Sequence, residues 1–152
     1  MKIIDVLSPE LIDADLSANN KTGVLANLID ILYKNNKIKE KEKVLDILLE
    51  REKLGSTGIG VGIAIPHGKY NEIETLIAAF GRSKKGVDFE AEDKKPVFLF
   101  FLFLAPEKAA SLHLRILARI SRLLKRELFR EKLLKANNAQ DIWDVIAKEE
   151  ED

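Results

Sequence analysis

The chain has 152 residues, 46% of them hydrophobic, which is a common size for a domain that buries its own core. We therefore expect a single domain over residues 1–152. Cysteine is absent, which excludes disulfides and thiolate metal sites and suits a reducing, cytoplasmic compartment. The 25 basic residues balance the 25 acidic ones, so no nucleic-acid partner is expected.

Targeting and membrane signals are missing from the sequence. Residues 1–5, Met-Lys-Ile-Ile-Asp, reach an acidic residue at once and lack the apolar core of a signal peptide. The longest apolar run, Val97–Ala105, is too short to cross a bilayer. We expect neither export nor direct membrane insertion.

Two amphipathic helices are predicted in the first third of the chain. Apolar residues recur at helical spacing over residues 22–35, with Asn19 and Asn20 upstream as candidate caps. The same spacing covers residues 39–54, and Gly55 follows where helices commonly end in a left-handed residue.

The character of the sequence changes at residues 56–68, where glycines alternate with other residues before a β-branched run that Pro66 stops. This segment predicts a loop, a short strand and a turn that carries His67. The apolar stretches 73–80 and 97–104 predict strands, and the second is apolar throughout, as in strands buried on both faces.

The remaining segments complete an α/β pattern. Residues 90–96 are charged and end in proline, which predicts a solvated turn. Helices are predicted over residues 112–124 and, with Asn138 as the cap, over residues 139–148. Interleaved helices and apolar strands predict an α/β domain with a small mixed β-sheet flanked by helices on both faces.

The chain contains only two histidines, His67 and His113. Pro66 and Gly68 shape the backbone around His67, so that its imidazole is expected to project from a strand end, although Pro-His-Gly alone favours a turn histidine without chemistry. His113 lies on the buried stripe of its helix. It is either a core histidine bonded to a carbonyl or a donor that faces His67 across a pocket.

The glycines at positions 55, 58, 60, 62 and 68 leave backbone N–H groups with little side-chain bulk around them. This suits close approach by an anion such as phosphate, although bulges and tight turns explain the same glycines equally well. The segment matches neither the P-loop nor the Rossmann fingerprint. The guanidinium of Arg51 suits phosphate oxygens, but most arginines at helix ends are solvated.

Charged runs near the C-terminus are interpreted as solvated. The acidic run at residues 149–152 is expected to fray, and a basic stripe follows the helix over 112–124 at spacings of four, three and four residues. The stripe consists of Arg115, Arg119, Arg122 and Arg126.

Residues 56–68, Ser-Thr-Gly-Ile-Gly-Val-Gly-Ile-Ala-Ile-Pro-His-Gly, closely resemble the active-site segment of a known family. The family is the type 2 enzyme IIA domains of the bacterial phosphoenolpyruvate-dependent sugar phosphotransferase system, the fructose, mannitol and nitrogen-regulatory class. Val87-Asp88-Phe89, Pro96-Val97 and His113-Leu114 resemble its later landmarks, so the likeness covers nearly the whole chain. Val61 departs from the asparagine of many nitrogen-regulatory members, whereas the rest of the segment is more similar to that branch than to the mannitol one.

The resemblance implies a phosphohistidine carrier without metal or cofactor. His67 would be phosphorylated by the histidine phosphocarrier protein, with His113 stabilising the phosphoryl group and Arg51 as a candidate phosphate contact. The backbone of the glycine-rich loop would cradle the phosphate. The residues of this loop are Ser56, Thr57, Gly58, Gly60, Gly62 and Gly68.

Two recipients of the phosphoryl group stay open. In a nitrogen-regulatory protein, the favoured interpretation, phosphorylation controls binding to a regulatory target protein. In a fructose or mannitol enzyme IIA, the group passes to an enzyme IIB domain for sugar uptake. A metal-dependent hydrolase that uses both histidines is a rival class, but no spacing in the sequence supplies its third ligand.

Overall fold

The computed structural model describes residues 1–151, which form five α-helices and one mixed sheet of six strands. The strands are β1 (Ile12–Asp13), β2 (Gly58–Gly60), β3 (Ile63–Ala64), β4 (His67–Lys69), β5 (Ile77–Val87) and β6 (Val97–Ala105). The helices are α1 (Lys21–Lys34), α2 (Lys41–Lys53), α3 (Ala110–Leu124), α4 (Glu127–Lys135) and α5 (Ala139–Glu149). None of the helices in residues 1–151 has both the length and the apolar content needed to cross a membrane.

Strand β6 is the centre of the sheet. It pairs antiparallel with β5 on one side and parallel with both β3 and β4 on the other. Strand β1 extends the sheet beyond β5, and β2 forms an antiparallel hairpin with β3. The predicted α/β fold with a small mixed sheet is confirmed.

Helices cover both faces of the sheet, and the alternation of side chains along β4 decides which helices its residues meet. His67 pairs with Phe103, and the Phe103 ring lies 6.0 Å from the ring of His113 on α3. Gly68 faces the opposite way, toward Ile47 of α2. The site is therefore built where α2 and α3 approach β4 from opposite faces.

Four of the helix predictions and the central strand are confirmed to within about two residues. Asn20 and Asn138 cap α1 and α5 by accepting from the backbone N–H groups of Gly23 and Asp141. The strand predicted at residues 73–80 is wrong at both ends, because β5 starts at Ile77 and continues to Val87. Helix α4 was not predicted.

The extension of β5 depends on a buried arginine that sequence periodicity treats as a surface residue. Arg82 is buried, and its guanidinium donates to backbone carbonyls from two segments of the chain. Three of the four carbonyls belong to the C-terminal end of α4, so this side chain of β5 also anchors the helix that the sequence did not reveal. The acceptors are the carbonyls of Ala14, Leu133, Leu134 and Ala136.

The sequence predicts a turn at His67, but the structure places this residue at the start of strand β4. Gly68 is consequently a strand residue. It is required for close packing, since a Cβ at this position would lie only 2.7 Å from Cγ2 of Ile47. The glycine lets α2 approach the strand that carries the histidine.

The turn between β2 and β3 holds a strained residue. Val61 and Gly62 occupy its two central positions with φ angles of 51° and 81°. Positive φ at both positions is the geometry of the tight hairpin turn that matches strand twist, and asparagine followed by glycine suits it best. A β-branched residue is unfavourable in this region. Val61 is also largely exposed, so little packing compensates for the strain.

We predict that Val61→Asn stabilises the protein. Relief of the left-handed strain should raise the free energy of unfolding by about 1 kcal/mol, as measured by urea denaturation. Val61→Thr is the matched control, because it keeps the β-branch and should leave stability nearly unchanged. Equal stabilisation by both substitutions would contradict the strain explanation.

Glu150 lies within the acidic run 149–152 that was expected to fray, but the structure ties it down; Asp152 of that run lies outside the described residues. The carboxylate of Glu150 is buried and accepts hydrogen bonds from the backbone N–H groups of Ile3 at 2.8 Å and Ile4 at 3.0 Å. Arg119 of the basic stripe donates to the same carboxylate at 2.7 Å. This one side chain therefore joins the two ends of the chain to α3.

We predict that Glu150→Ala lowers the free energy of unfolding by roughly 3–5 kcal/mol, because it leaves Arg119 and two buried N–H groups without partners. Glu149→Ala is the control. It removes a more exposed ion pair with Arg126 and should cost less than about 1 kcal/mol in the same denaturation experiment. Similar losses for the two variants would show that burial of Glu150 is unimportant.

Candidate functional site

A groove opens beside β4, between α2 and α3. Its volume is about 840 Å³, and its walls carry both histidines of the chain. Leu54, after the end of α2, and Leu114 on α3 are largely exposed at its rim. The titratable and charged groups that face it include His67, His113, Arg51, Lys43, Lys69 and Glu50.

The imidazole of His67 is held by its own strand. Its Nδ1 lies 2.8 Å from the backbone oxygen of Ile65. A carbonyl only accepts hydrogen bonds, so Nδ1 carries the proton of the neutral ring and Nε2 keeps its lone pair. The ring is half-buried and lines the groove, so Nε2 is the nitrogen that is left for chemistry.

The environment favours the neutral form of His67. Burial lowers the pKa of the imidazole below its ordinary value of 6.5, and the nearby Arg51 guanidinium lowers it further. The Ile65 carbonyl and the Glu52 carboxylate act in the opposite direction. Because burial is the largest cause, the lowered pKa favours an uncharged ring at neutral pH.

His113 stands next to His67 on α3. The two ring centroids are 5.4 Å apart, and the ring planes meet at 82°. His113 is buried, and its Nε2 has no hydrogen-bond partner among residues 1–151. Burial, followed by the charges of His67 and Lys69, lowers the His113 pKa. A buried polar atom without a partner is uncommon and indicates a group that an absent ligand would satisfy.

Arg51 lies in the last turn of α2 and also lines the groove. Its Nη1 donates to the backbone oxygen of Gly55 at 2.9 Å. The sequence interpretation of a solvated arginine is therefore incomplete, because one nitrogen is anchored to the protein. The structure brings Arg51, His67 and His113 together in one groove.

Most of the glycine-rich loop lies elsewhere. Of the six loop residues proposed to cradle phosphate, Gly68 alone lines the groove, among the residues that the structure describes. The N–H groups of Thr57 and Gly58 donate to Glu52 and to Ser56, and the Ser56 hydroxyl donates to a backbone carbonyl.

The remaining loop glycines serve the β2–β3 hairpin. Gly60 and Gly62 have φ angles of 95° and 81°, and a Cβ on Gly58 would lie 2.8 Å from that of Ala91. The explanation of these glycines as turn and close-contact positions therefore fits the geometry. No residue of β2 or β3 lines the groove, among the residues that the structure describes.

Sequence reasoning missed one residue beside the site, Glu52. Its carboxylate is buried and contacts Lys21 and Thr57. A signal was present, because Val44, Leu48 and Glu52 are spaced by four residues and the acid continues the apolar stripe of α2. An acid on such a stripe needs buried partners.

Comparison with known proteins agrees with this geometry. Residues 5–149 match the family described as phosphoenolpyruvate-dependent sugar phosphotransferase system, EIIA 2. The chain belongs to this enzyme IIA family. The resemblance carried by residues 56–68 is thus confirmed.

Relatives of this enzyme IIA chain come from both branches of the family. A nitrogen regulatory protein of Bradyrhizobium diazoefficiens is 42% identical over 147 residues, 97% of this chain and 95% of that protein. A fructose-specific EIIA component of Haloferax volcanii is 40% identical over 146 residues, 95% of each chain. The crystal structure of the nitrogen regulatory protein IIA-Ntr from Neisseria meningitidis has a TM-score of 0.87 at 32% identity, over 93% of this chain and 97% of that one.

Neighbouring histidines, such as the two of this enzyme IIA chain, are common zinc ligands. Within residues 1–151, no group of three or more histidine, aspartate or glutamate side chains is arranged to hold a metal ion. The third ligand that a metal-dependent hydrolase would place beside His67 and His113 is not found there.

We predict that both histidines titrate below pH 6.5 in the folded protein. Burial disfavours the imidazolium, so each ring stays neutral until the pH falls below the ordinary value. NMR titration of the ring protons measures both midpoints. In His67→Gln, the midpoint of His113 should move upward, because the neighbouring positive charge is removed.

The control for this titration is the same protein in urea, where both histidines should titrate near 6.5. A midpoint at or above 6.5 in the folded state, for either ring, would contradict the assignment of neutral histidines.

Proposed function

We propose that the protein is a phosphocarrier that accepts a phosphoryl group on Nε2 of His67 from another protein. One observation carries the proposal. The hydrogen bond from Nδ1 of His67 to the Ile65 carbonyl leaves Nε2 as a free nucleophile, in a groove that also holds His113 and Arg51. Membership of the enzyme IIA family agrees with this chemistry.

The transfer balances without a separate acid or base. The Nε2 lone pair attacks phosphorus, an Nε2–P bond forms, and the P–N bond of the donor phosphohistidine breaks. The donor ring carries a proton on its second nitrogen, so it leaves with that electron pair as neutral imidazole, while His67 becomes positively charged and keeps its Nδ1 proton. The Ile65 carbonyl stabilises this charge through the existing hydrogen bond.

His113 and Arg51 act on the phosphoryl oxygens. Charge accumulates on the three equatorial oxygens during transfer, and fixed donors that face them stabilise the transition state. The unpartnered Nε2 of His113 supplies one donor when it carries the proton, and the Arg51 guanidinium supplies others with a full positive charge. Of the glycine-rich loop, our proposal includes only Gly68 in the site, because it lines the groove.

The open shape of the groove suits protein partners. Its rim exposes Leu54 and Leu114, and aliphatic side chains exposed around a reactive group are typical of a protein contact. We propose the histidine phosphocarrier protein as the donor. We also propose a cytoplasmic site of action, in line with the absence of cysteine from the chain.

The downstream partner is proposed to be a regulatory target protein whose binding depends on the phosphorylation of His67, as in the nitrogen-regulatory branch. Transfer to an enzyme IIB domain for sugar uptake is the second candidate, because the fructose-specific relative is almost as similar as the nitrogen regulatory one. In addition, the mannitol enzyme IIA of Escherichia coli, which shares the fold at a TM-score of 0.77 and 22% identity, has been solved in complex with phosphorylated enzyme IIB.

We predict that the purified protein gains one phosphoryl group from the phosphorylated histidine phosphocarrier protein. His67→Ala should abolish the mass increase, and His113→Ala should slow it about a hundredfold because one transition-state donor is lost. Quenched-flow sampling with intact-mass spectrometry under alkaline conditions measures both effects. NMR of the phosphorylated ring should show phosphorus on Nε2.

Arg122→Ala is the control, because this exposed residue of α3 lies outside the groove and should react at the wild-type rate. Phosphorylation of His67→Ala at the wild-type rate would refute the proposal. When the phosphorylated protein is mixed with enzyme IIB domains, a stable phosphohistidine supports the regulatory branch, whereas loss of the group to IIB supports the transport branch.

A further inference from the structure

Glu52 is a buried acid that the proposed chemistry does not use. Its side chain is only 4% exposed, and each of its oxygens meets a donor. Oε1 accepts from the backbone N–H of Thr57 at 3.1 Å and from Nζ of Lys21 at 2.9 Å, and Oε2 accepts from the Thr57 hydroxyl. Three donors on one buried carboxylate fix its orientation.

These contacts close a short turn after α2. The bonds from Thr57 to Glu52 bring together two residues five positions apart, and Gly55 lies between them with a φ angle of 140°. The Gly55 carbonyl accepts the hydrogen bond from Nη1 of Arg51 at 2.9 Å. The turn that Glu52 closes is therefore the turn that holds the Arg51 guanidinium.

The same turn is also fixed from the other side. The Ser56 hydroxyl donates to the Phe89 carbonyl at 2.7 Å, and Nζ of Lys21 lies 4.8 Å from the centre of the Phe89 ring. Lys21 belongs to the first turn of α1, so α1, the end of α2 and the segment at Phe89 meet at this point. An arginine side chain is long and flexible, and a rigid carbonyl limits the positions that its guanidinium samples.

We propose that Glu52, together with Thr57 and Lys21, is a positioning unit that holds the Arg51 guanidinium toward the phosphoryl group on His67. Glu52 does not touch the phosphoryl group and acts on transfer only through Arg51. The inference rests on the proposed function, because Arg51 must first be a phosphoryl contact. It assigns a role to a side chain that neither the resemblance nor the pattern of residues had singled out.

Two other roles are distinguishable from positioning. If Glu52 only stabilises the fold, Glu52→Gln should slow phosphorylation by the same factor in the wild-type and in the Arg51→Ala background. If the Glu52 charge acts directly on the imidazole, Glu52→Gln should change the rate of phosphorylation even in the Arg51→Ala background. The reason is that the Glu52 charge raises the pKa of His67 independently of Arg51. Only positioning makes the effect of Glu52 depend on Arg51.

The experiment measures phosphorylation of His67 by phosphoramidate, a small donor that needs no docking surface. The P–N bond of phosphoramidate breaks, the Nε2–P bond forms, and the nitrogen leaves as ammonia after it takes a proton from water. Arg51→Ala should slow the reaction about a hundredfold. Glu52→Gln should slow it about tenfold, because the guanidinium loses its fixed position.

The double variant Glu52→Gln/Arg51→Ala decides the question. It should react at the rate of Arg51→Ala alone, with no further loss. Thr57→Val, which removes the hydroxyl at nearly constant volume, should reproduce the effect of Glu52→Gln, and Thr57→Ser should restore the wild-type rate. Thr57→Val leaves Lys21 paired with Glu52 and keeps the test available if Glu52→Gln does not fold.

Glu150→Gln is the matched control, because Glu150 is also a buried carboxylate with three donors. Its donors are two backbone N–H groups and Arg119, and it does not line the groove. It should leave the rate unchanged in folded protein. Equal slowing by Glu52→Gln with and without Arg51, a wild-type rate for Glu52→Gln, or equal slowing by Glu150→Gln would overturn the proposal. If the wild-type protein gains no phosphoryl group from phosphoramidate, the proposed function itself is refuted.

Discussion

The parallel pairing of β4 with β6 is the interaction on which the site depends. It sets His67 beside Phe103 and turns the His67 ring toward α3. The ring centroid of His113 on that helix lies 5.4 Å from that of His67. The same pairing turns Gly68 toward α2, and the missing side chain lets that helix approach closely enough for Arg51 to reach the groove. A shift of the register by one residue would exchange the two faces and separate all three groups.

Buried polar groups in this protein are otherwise well satisfied, which makes the exception informative. Arg82 donates to four carbonyls, Glu150 accepts from three donors, and Glu52 does the same. Against this background, Nε2 of His113 is the buried side-chain nitrogen without a partner in residues 1–151. This exception lies directly beside the ring of His67, where the proposed phosphoryl group would be carried.

Local sequence patterns predicted what depends on local periodicity. The apolar spacing and the asparagine caps gave α1, α2, α3 and α5, and the unbroken apolar run gave β6. Residue type and position singled out the two histidines and Arg51 as candidates, the resemblance proposed their roles, and the structure places all three in one groove. What the sequence did not reveal depends on tertiary partners. The burial of Arg82 inside β5 and of Glu150 at the N-terminal turn becomes apparent only when their partners are known. For Glu52, the spacing along α2 indicated burial but not its partners. The loop glycines were misleading because a tight hairpin and an anion cradle need the same backbone freedom.

A carrier must accept and release the same group, which requires opposite properties of one imidazole. Burial and Arg51 lower the pKa of His67 and keep the ring a neutral nucleophile before transfer. After transfer the ring is positively charged, and the Ile65 carbonyl and the Glu52 charge, which act in the opposite direction, then stabilise it. Arg51 changes its role between the two states, because it repels the protonated free ring but attracts the phosphoryl oxygens. Since Glu52 also orients Arg51, these two adjacent residues at the end of α2 act on both the free and the phosphorylated histidine. Replacing either residue would therefore change the balance between uptake and release of the phosphoryl group.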